Sequence, residues 1–98
     1  MLINIDEKAA TWFKQEFENN MLSNIRMFPQ YAGFGEKNKG FTLAFSAETP
    51  ANIGLKKQIN GITFLVDGND IWFFEETETC MTVDDQLNEL QITYKPIH

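Results

Sequence analysis

Two reactive side chains occur once each in this chain: Cys80 is its single cysteine and His98 its single histidine. A cysteine nucleophile needs a histidine base close in space, and His98 is the last residue of the sequence. One thiol cannot build a multi-cysteine metal site within a subunit, so we expect Cys80 to be a small apolar packing residue beside Met81. No acid, base and nucleophile trio can be assembled, and the chain is predicted not to be an enzyme.

Carboxylates form a second reactive group, in the acidic run Glu75, Glu76 and Glu78 and in the pair Asp84 and Asp85. Calcium sites space their ligands around a tight loop that contains a glycine, and no such loop occurs here. We interpret these carboxylates as a solvated face. One alternative stays open, a metal-binding protein that uses carboxylates with Cys80 or His98 contributed across a dimer.

A glycine-containing loop, residues 32–40, is the third feature with a potential binding role. Its glycines do not make a phosphate-binding motif. Glycine does permit backbone conformations that are closed to other residues, so the loop can expose an aromatic ring. We predict a contact surface of Tyr31, Gly33, Phe34 and Gly35, for a protein partner or for a second copy of the chain in a homodimer.

Length and charge limit the classes of function. The chain has 98 residues, 43% of them hydrophobic, which is enough for one domain with its own core. Its formal net charge of −6 argues against nucleic acids and anionic membrane surfaces as partners. The lone cysteine and the lack of a signal peptide favour the cytoplasm. No cofactor is predicted.

These side chains must be positioned by one helix and several strands. Asp6 is a suitable N-cap, and apolar residues at helical spacing predict an amphipathic helix from Asp6 to Asn19 that packs through Phe13 and Phe17.

The rest of the sequence predicts about six or seven short strands. Asn24 to Tyr31 is a strand in which Pro29 demands an edge or a bulge, and Phe41 to Ser46 alternates cleanly. Residues 48–59 are predicted to be an irregular connection. The apolar runs 62–66 and 71–74, separated by Asp67–Asp70, predict a hairpin, and alternation at residues 90–94 predicts a last strand.

The combined pattern resembles a known family. Its pieces, in chain order, are Ala9-Ala10, Arg26, Ala32-Gly33-Phe34-Gly35, Phe41 to Ser46, Val66-Asp67-Gly68 and Leu87-Asn88-Glu89. Their order and spacing are similar to those of the HesB-like domain of A-type iron–sulfur cluster carriers. The resemblance implies that residues 1–98 form a single HesB-like domain, mainly β with one N-terminal α-helix, arranged as a β-sandwich or pseudobarrel.

In those carriers a loop cysteine and a C-terminal Cys-x-Cys motif bind iron or an iron–sulfur cluster. Phe34 stands at the loop position in this chain, and the sequence ends at Lys95-Pro96-Ile97-His98 without the motif. The resemblance thus implies a divergent branch that lacks the ligand cysteines. Because clusters need thiolates, we predict a non-catalytic HesB-like protein that cannot carry a cluster through its own cysteines. Its expected link to iron–sulfur cluster biosynthesis is through partner binding.

Overall fold

The computed structural model of the chain describes residues 2–16, 24–33 and 40–97. Within these ranges lie one α-helix, seven strands and one 3₁₀ helix. In chain order they are β1 (Leu2–Ile5), α1 (Glu7–Glu16), β2 (Asn24–Tyr31), β3 (Phe41–Ser46), β4 (Ile53–Ile59), β5 (Ile62–Asp67), the 3₁₀ helix (Gly68–Phe74), β6 (Thr77–Asp84) and β7 (Glu89–Pro96). The predicted class, mainly β with one N-terminal helix, is confirmed.

The strands form two sheets. A three-stranded sheet has the order β1-β6-β7, and a four-stranded sheet has the order β3-β2-β5-β4. The pairs β1–β6 and β2–β5 are parallel, and the other pairs are antiparallel. The buried apolar residues form one cluster that draws on both sheets, α1 and the 3₁₀ helix. Within the described ranges, no helix has the length and apolar character that crossing a bilayer requires.

Helix α1 begins as the sequence predicts. The Oδ1 atom of Asp6 accepts a hydrogen bond from the backbone N–H of Lys8 at 3.2 Å, which satisfies one of the free donors of the first turn. Ala9, Ala10 and Phe13 are buried, so the predicted face is the packed one. The predicted contact of Phe17 and the predicted end near Asn19 lie outside the described residues.

The hairpin predicted between residues 62–66 and 71–74 is wrong, because the second run is the 3₁₀ helix Gly68–Phe74. The Oδ1 atom of Asp67 accepts from the N–H of Asn69 at 2.9 Å and turns the chain into that helix. The hairpin at this point of the chain joins β4 to β5 through Asn60 and Gly61, whose φ angles are 51° and 80°. Asn-Gly favours this type of turn because both residues tolerate positive φ.

Strand β4 occupies the segment that was predicted to be an irregular connection, so this prediction is also wrong. β4 is an edge strand, and only alternate residues are partly covered, namely Leu55, Lys57 and Ile59. Lys57 occupies an inward position, so the sequence does not show the alternation of apolar and polar residues that predicts a strand. A lysine is tolerated there because its Nζ donates to the backbone carbonyl of Ile3 in the other sheet, while its aliphatic part lies against apolar neighbours.

Pro29 lies in β2, which is an interior strand of its sheet. However, β2 pairs with β5 only through Asn24–Arg26. The N–H of Ala32 donates to the carbonyl of Gly40 at 2.7 Å, and hydrogen-bonded pairs alternate along an antiparallel ladder. The nitrogen of Pro29 therefore faces away from β3, where β5 has ceased to pair, and the proline removes no ladder hydrogen bond. It occupies the local edge that the sequence demands.

Candidate functional site

Three aromatic side chains form a continuous surface feature at the end of the four-stranded sheet. Tyr31 ends β2 and pairs with Phe41, the first residue of β3, and their ring centroids are 5.5 Å apart at 78°. Phe41 also contacts Trp72 of the 3₁₀ helix, at 5.4 Å and 83°. Tyr31 is 72% exposed and Trp72 is 45% exposed, whereas Phe41 is partly buried between them. We call these three residues the aromatic ridge.

Gly40 sets the position of the Tyr31 ring. A Cβ atom at residue 40 would lie 2.6 Å from Cε1 of Tyr31, and the φ angle of Gly40 is +89°. The N–H groups of Ala32 and Gly33 both donate to the Gly40 carbonyl, at 2.7 and 3.1 Å. A side chain at residue 40 would displace the ring, so glycine is required both by the backbone and by the close approach.

The 3₁₀ helix that carries Trp72 is held against the sheet at its first turn. The N–H of Gly68 donates to the carbonyl of Asn52 at 2.8 Å, and a Cβ at Gly54 would lie 2.7 Å from the Cα of Gly68. Two glycines therefore let the helix and the start of β4 touch through their backbones.

An ion pair joins the same helix to β2. Nη2 of Arg26 lies 3.0 Å from Oδ2 of Asp70, with both side chains about three-quarters buried or more at 26% and 18% exposure. The guanidinium of Arg26 also lies over the ring of Phe28, 5.3 Å from its centroid. Because Phe73 and Phe74 are fully buried, the helix is anchored on both sides and presents Trp72 outward.

The polar atoms of the ridge form no hydrogen bond with the described part of the chain. Within the described ranges, neither the indole N–H of Trp72 nor the hydroxyl of Tyr31 has a hydrogen-bond partner, whereas the indole N–H of Trp12 donates to the carbonyl of Asn88 at 3.0 Å. Exposed tyrosine and tryptophan combine a large apolar area with a hydrogen-bonding group, which is why such residues are enriched at interfaces.

The predicted contact surface is described only in part. Among the described residues, Tyr31 is the most exposed of the large apolar side chains, and Gly33 is exposed with a φ angle of +81° and open space around it. Phe34 and Gly35 lie outside the described residues. The sequence did not single out Phe41 and Trp72, which share this end of the molecule with Tyr31. The run Trp72-Phe73-Phe74 is the sequence feature that indicates an exposed ring, since a short helix packed against a sheet on one side cannot bury three consecutive rings.

Cys80 does not lie in the core beside Met81, as was predicted. The two residues are neighbours in β6, but Met81 is fully buried while Cys80 is half-buried on the opposite, outer face of the three-stranded sheet. Its partners across the sheet are Asn4 and Thr93. Neither of these side chains is a base or a preferred metal ligand.

Three of the five acidic residues, Glu78, Asp84 and Asp85, are engaged in local structure. Oδ1 of Asp84 accepts from the N–H groups of Gln86 and Leu87 at 2.9 and 3.3 Å, and the side-chain amide of Asn4 donates to Glu78. Asp85 forms an exposed ion pair with Lys8. In the part of the chain that the structure describes, no group of three or more His, Cys, Asp or Glu side chains is placed to hold a metal ion.

A shallow cleft separates α1 from the turn between β6 and β7. Its walls include Trp12, Lys8 and Asp85. The Lys8 ammonium lies 2.8 Å from Oδ2 of Asp85, and this hydrogen bond raises the pKa of Lys8 above its ordinary value. The principal cation of the cleft is therefore already paired, and the indole N–H of Trp12 is bonded as well.

Comparison with known proteins places the chain among bacterial relatives. A Staphylococcus aureus protein of uncharacterised function is 31% identical over 100 residues, an alignment that covers 97% of this chain and 100% of the relative. The chain belongs to the family of this staphylococcal protein. A Bacillus subtilis relative named pyruvate dehydrogenase inhibitor is 27% identical over 95 residues, covering 97% of this chain and 100% of that protein. No protein-family model matches the sequence.

Solved structures show which fold the family has. Escherichia coli SufA, described as involved in the biosynthesis of iron–sulfur clusters, matches with a TM-score of 0.61 at 12% identity, over 98% of this chain and 86% of SufA. IscA with a [2Fe-2S] cluster matches with a TM-score of 0.58 at 13% identity, over 97% and 85% of the two chains. The family therefore has the fold of these carriers, as the resemblance implied, and identities this low speak to the fold alone.

Proposed function

We propose that this protein is non-catalytic and acts in the cytoplasm by binding another protein through the aromatic ridge. The observation that carries this proposal is the exposure of Tyr31 and Trp72 on a rigid base, with their polar atoms unused within the described ranges. Burial of such rings at the centre of an interface supplies much of the binding free energy. Gly33, Phe34 and Gly35 adjoin Tyr31 along the chain and complete the proposed surface.

The name of the Bacillus subtilis relative supports a specific partner. That relative spans the same length and is called a pyruvate dehydrogenase inhibitor. We therefore take pyruvate dehydrogenase as the first partner to test, with inhibition by complex formation as the mode of action. The similarity of fold to SufA and IscA favours a second candidate, a partner in iron–sulfur cluster assembly.

We also propose that residues 1–98 form a single HesB-like domain of a branch that lacks the ligand cysteines. The chain contains one cysteine, and Cys80 lies in the middle of a strand on a sheet face. A cluster-carrying role would need thiolates from several subunits. The test is anaerobic reconstitution with iron and sulfide, where we expect no cluster absorbance after desalting. Absorbance that survives desalting and is lost in Cys80→Ser would support the metal-binding alternative instead.

The binding test uses pyruvate dehydrogenase purified from the organism that makes this protein. We expect the protein to lower the activity of the enzyme and to co-elute with it in size-exclusion chromatography. Trp72→Ala should weaken both effects at least tenfold, the size of effect typical of a central interface residue. Leu87→Ala is the matched control, since Leu87 is also an exposed large apolar residue, at 62%, and lies in the turn between β6 and β7.

The variants separate the possible outcomes. Equal inhibition by the wild type and by Trp72→Ala would end the proposal that the ridge is the binding surface. If pyruvate dehydrogenase is unaffected by the wild type, the same pair of variants is applied to cluster-assembly proteins. A shift of the free protein to a dimer that Trp72→Ala abolishes would identify the ridge as a homodimer interface.

A further inference from the structure

One residue near the ridge adopts a backbone conformation that its side chain disfavours. Within the described ranges, three residues other than glycine have positive φ: Asn60, Glu76 and Asn88. Asn60 and Asn88 lie in tight turns between paired strands, where asparagine is among the residues that tolerate this conformation best. Glu76, with a φ angle of 58°, has no such preference.

The local structure explains the φ angle of Glu76 but not the choice of glutamate. Its carbonyl accepts a hydrogen bond from the N–H of Ile97 at 3.1 Å, which ties the turn to the end of β7. Glycine or asparagine would present the same carbonyl with less strain. The Glu76 side chain is exposed, and its carboxylate makes no hydrogen bond or ion pair with any described residue. A strained backbone conformation that no structural contact of the side chain explains is typical of functional positions.

Glu76 is close enough to the ridge to share one interface with it. It follows Trp72 by four residues, and a chain of four residues spans at most about 14 Å. The intervening Phe73 and Phe74 point into the core, so Trp72 and Glu76 are outward-facing groups on either side of a buried anchor. An interface of ordinary size, about 800 Å² on each partner, is wide enough to include two groups at this separation.

We propose that the aromatic ridge and the Glu76 carboxylate together bind a basic segment of the protein partner. An arginine or lysine of that segment pairs with Glu76, and its apolar neighbours lie on Tyr31 and Trp72. The proposal deepens the proposed function, because it specifies the partner chemistry of the same surface. Ring faces carry negative electrostatic potential and attract cations, and the net charge of −6 steers a basic segment towards the protein.

A second copy of this chain is a poorer match to that chemistry. Acidic residues outnumber basic ones by 14 to 8 in this chain, and two of the basic side chains, Arg26 and Lys8, are already paired with Asp70 and Asp85. Two copies that each carry −6 also repel at long range. A basic segment of a different protein is therefore the occupant to which the proposal commits.

The first test asks whether Glu76 is held at a conformational cost. Glu76→Asn keeps a residue that tolerates positive φ and removes the charge. We expect its melting temperature to rise by a few degrees relative to the wild type. Glu89→Asn removes one charge from an exposed residue of β7 whose φ is not positive, and it should give no such rise. An unchanged or lower melting temperature in Glu76→Asn would overturn the argument that glutamate at this positive φ angle lowers the stability of the protein.

The second test measures binding without pyruvate dehydrogenase. The probes are two synthetic peptides of equal length, one alternating arginine and leucine and the other alternating glutamate and leucine. The signal is the fluorescence of Trp72 in a Trp12→Phe background. We expect saturable binding of the basic peptide, little binding of the acidic one, and about three- to fivefold weaker binding of the basic peptide by Glu76→Asn. Glu89→Asn should bind like the parent.

The outcomes distinguish this proposal from the one on which it rests. Equal binding of both peptides, no binding of either, or equal binding by Glu76→Asn and Glu89→Asn would overturn the basic-segment proposal. Those results would leave intact any loss of enzyme inhibition in Trp72→Ala. If inhibition is absent but the basic peptide binds through Glu76, the partner chemistry holds and pyruvate dehydrogenase is the wrong partner.

Discussion

Two groups of aromatic rings in this molecule have the same pairwise geometry and different surroundings. In the buried group, Phe13 contacts Phe45 at 4.8 Å and Phe64 at 5.3 Å, and Phe13 and Phe64 are almost fully buried. In the aromatic ridge the spacings are 5.4 and 5.5 Å, but Tyr31 and Trp72 are largely exposed.

The comparison separates two uses of aromatic residues. The buried group is all phenylalanine, which brings no polar atom that would need a partner in the core. The ridge ends in a tyrosine and a tryptophan, whose polar atoms have no hydrogen-bond partner among the described residues. The number of aromatic residues therefore overstates the size of the hydrophobic core, because some of these rings lie on the surface of the four-stranded sheet.

The largest expected effect belongs to the buried group. Phe13→Ala should lower the free energy of unfolding by about 3–5 kcal/mol, because it removes a fully buried ring and leaves a cavity between α1 and the four-stranded sheet. Trp72→Ala should cost about 1–2.5 kcal/mol, less than Phe13→Ala, since the ring is already half in water. Urea unfolding of both variants checks the contrast. A loss below about 1 kcal/mol for Phe13→Ala would show that the packed face of α1 is misassigned.

The ridge itself can be displaced with a glycine substitution. Gly33 and Gly40 both have positive φ, at 81° and 89°, but only at Gly40 would a new Cβ strike the Tyr31 ring. Gly33→Ala should cost about 1 kcal/mol through backbone strain alone. Gly40→Ala should cost about the same in backbone strain, because the exposed Tyr31 ring can move away from the new Cβ, but it should also weaken partner binding because Tyr31 moves. Partner binding equal to that of Gly33→Ala would mean that Tyr31 does not rest on Gly40.

Much of the fold could be predicted because its signals are local. The N-cap at Asp6, the alternation in β3 and β7, and the apolar run of β5 each depend on a few adjacent residues. β4 was missed because an edge strand needs only one partly covered face, and Lys57 occupies an inward position of that face. The sequence predicts a strand where the 3₁₀ helix lies, since a short apolar run has no period that distinguishes the two. Asn60-Gly61 is the local signal for the hairpin that joins β4 to β5.

The sequence points to the proposed surface only where one segment carries the signal. Tyr31 is predicted there because an aromatic residue beside a glycine loop is often exposed; the structure confirms the exposure, and the binding role stays a prediction. Phe41 and Trp72 come from other segments, and their contact with Tyr31 depends on the register of β2 with β3 and on the packing of the 3₁₀ helix. The charge of Glu76 was visible in the sequence, where it was interpreted as part of a solvated face. Its positive φ is visible only in the structure.

The smallest expected effect tests the polar atoms that distinguish the two tryptophans. The indole N–H of Trp12 donates to the carbonyl of Asn88, and that of Trp72 has no partner within the described ranges. Trp12→Phe should therefore cost about 1 kcal/mol of stability, the usual contribution of one hydrogen bond. Trp72→Phe should stay within about 0.5 kcal/mol of the wild type and yet weaken partner binding if the partner accepts from its N–H. Thermal melts measure the first difference and co-elution with the partner the second. A larger stability loss in Trp72→Phe than in Trp12→Phe would assign the Trp72 indole to the fold and not to the binding surface.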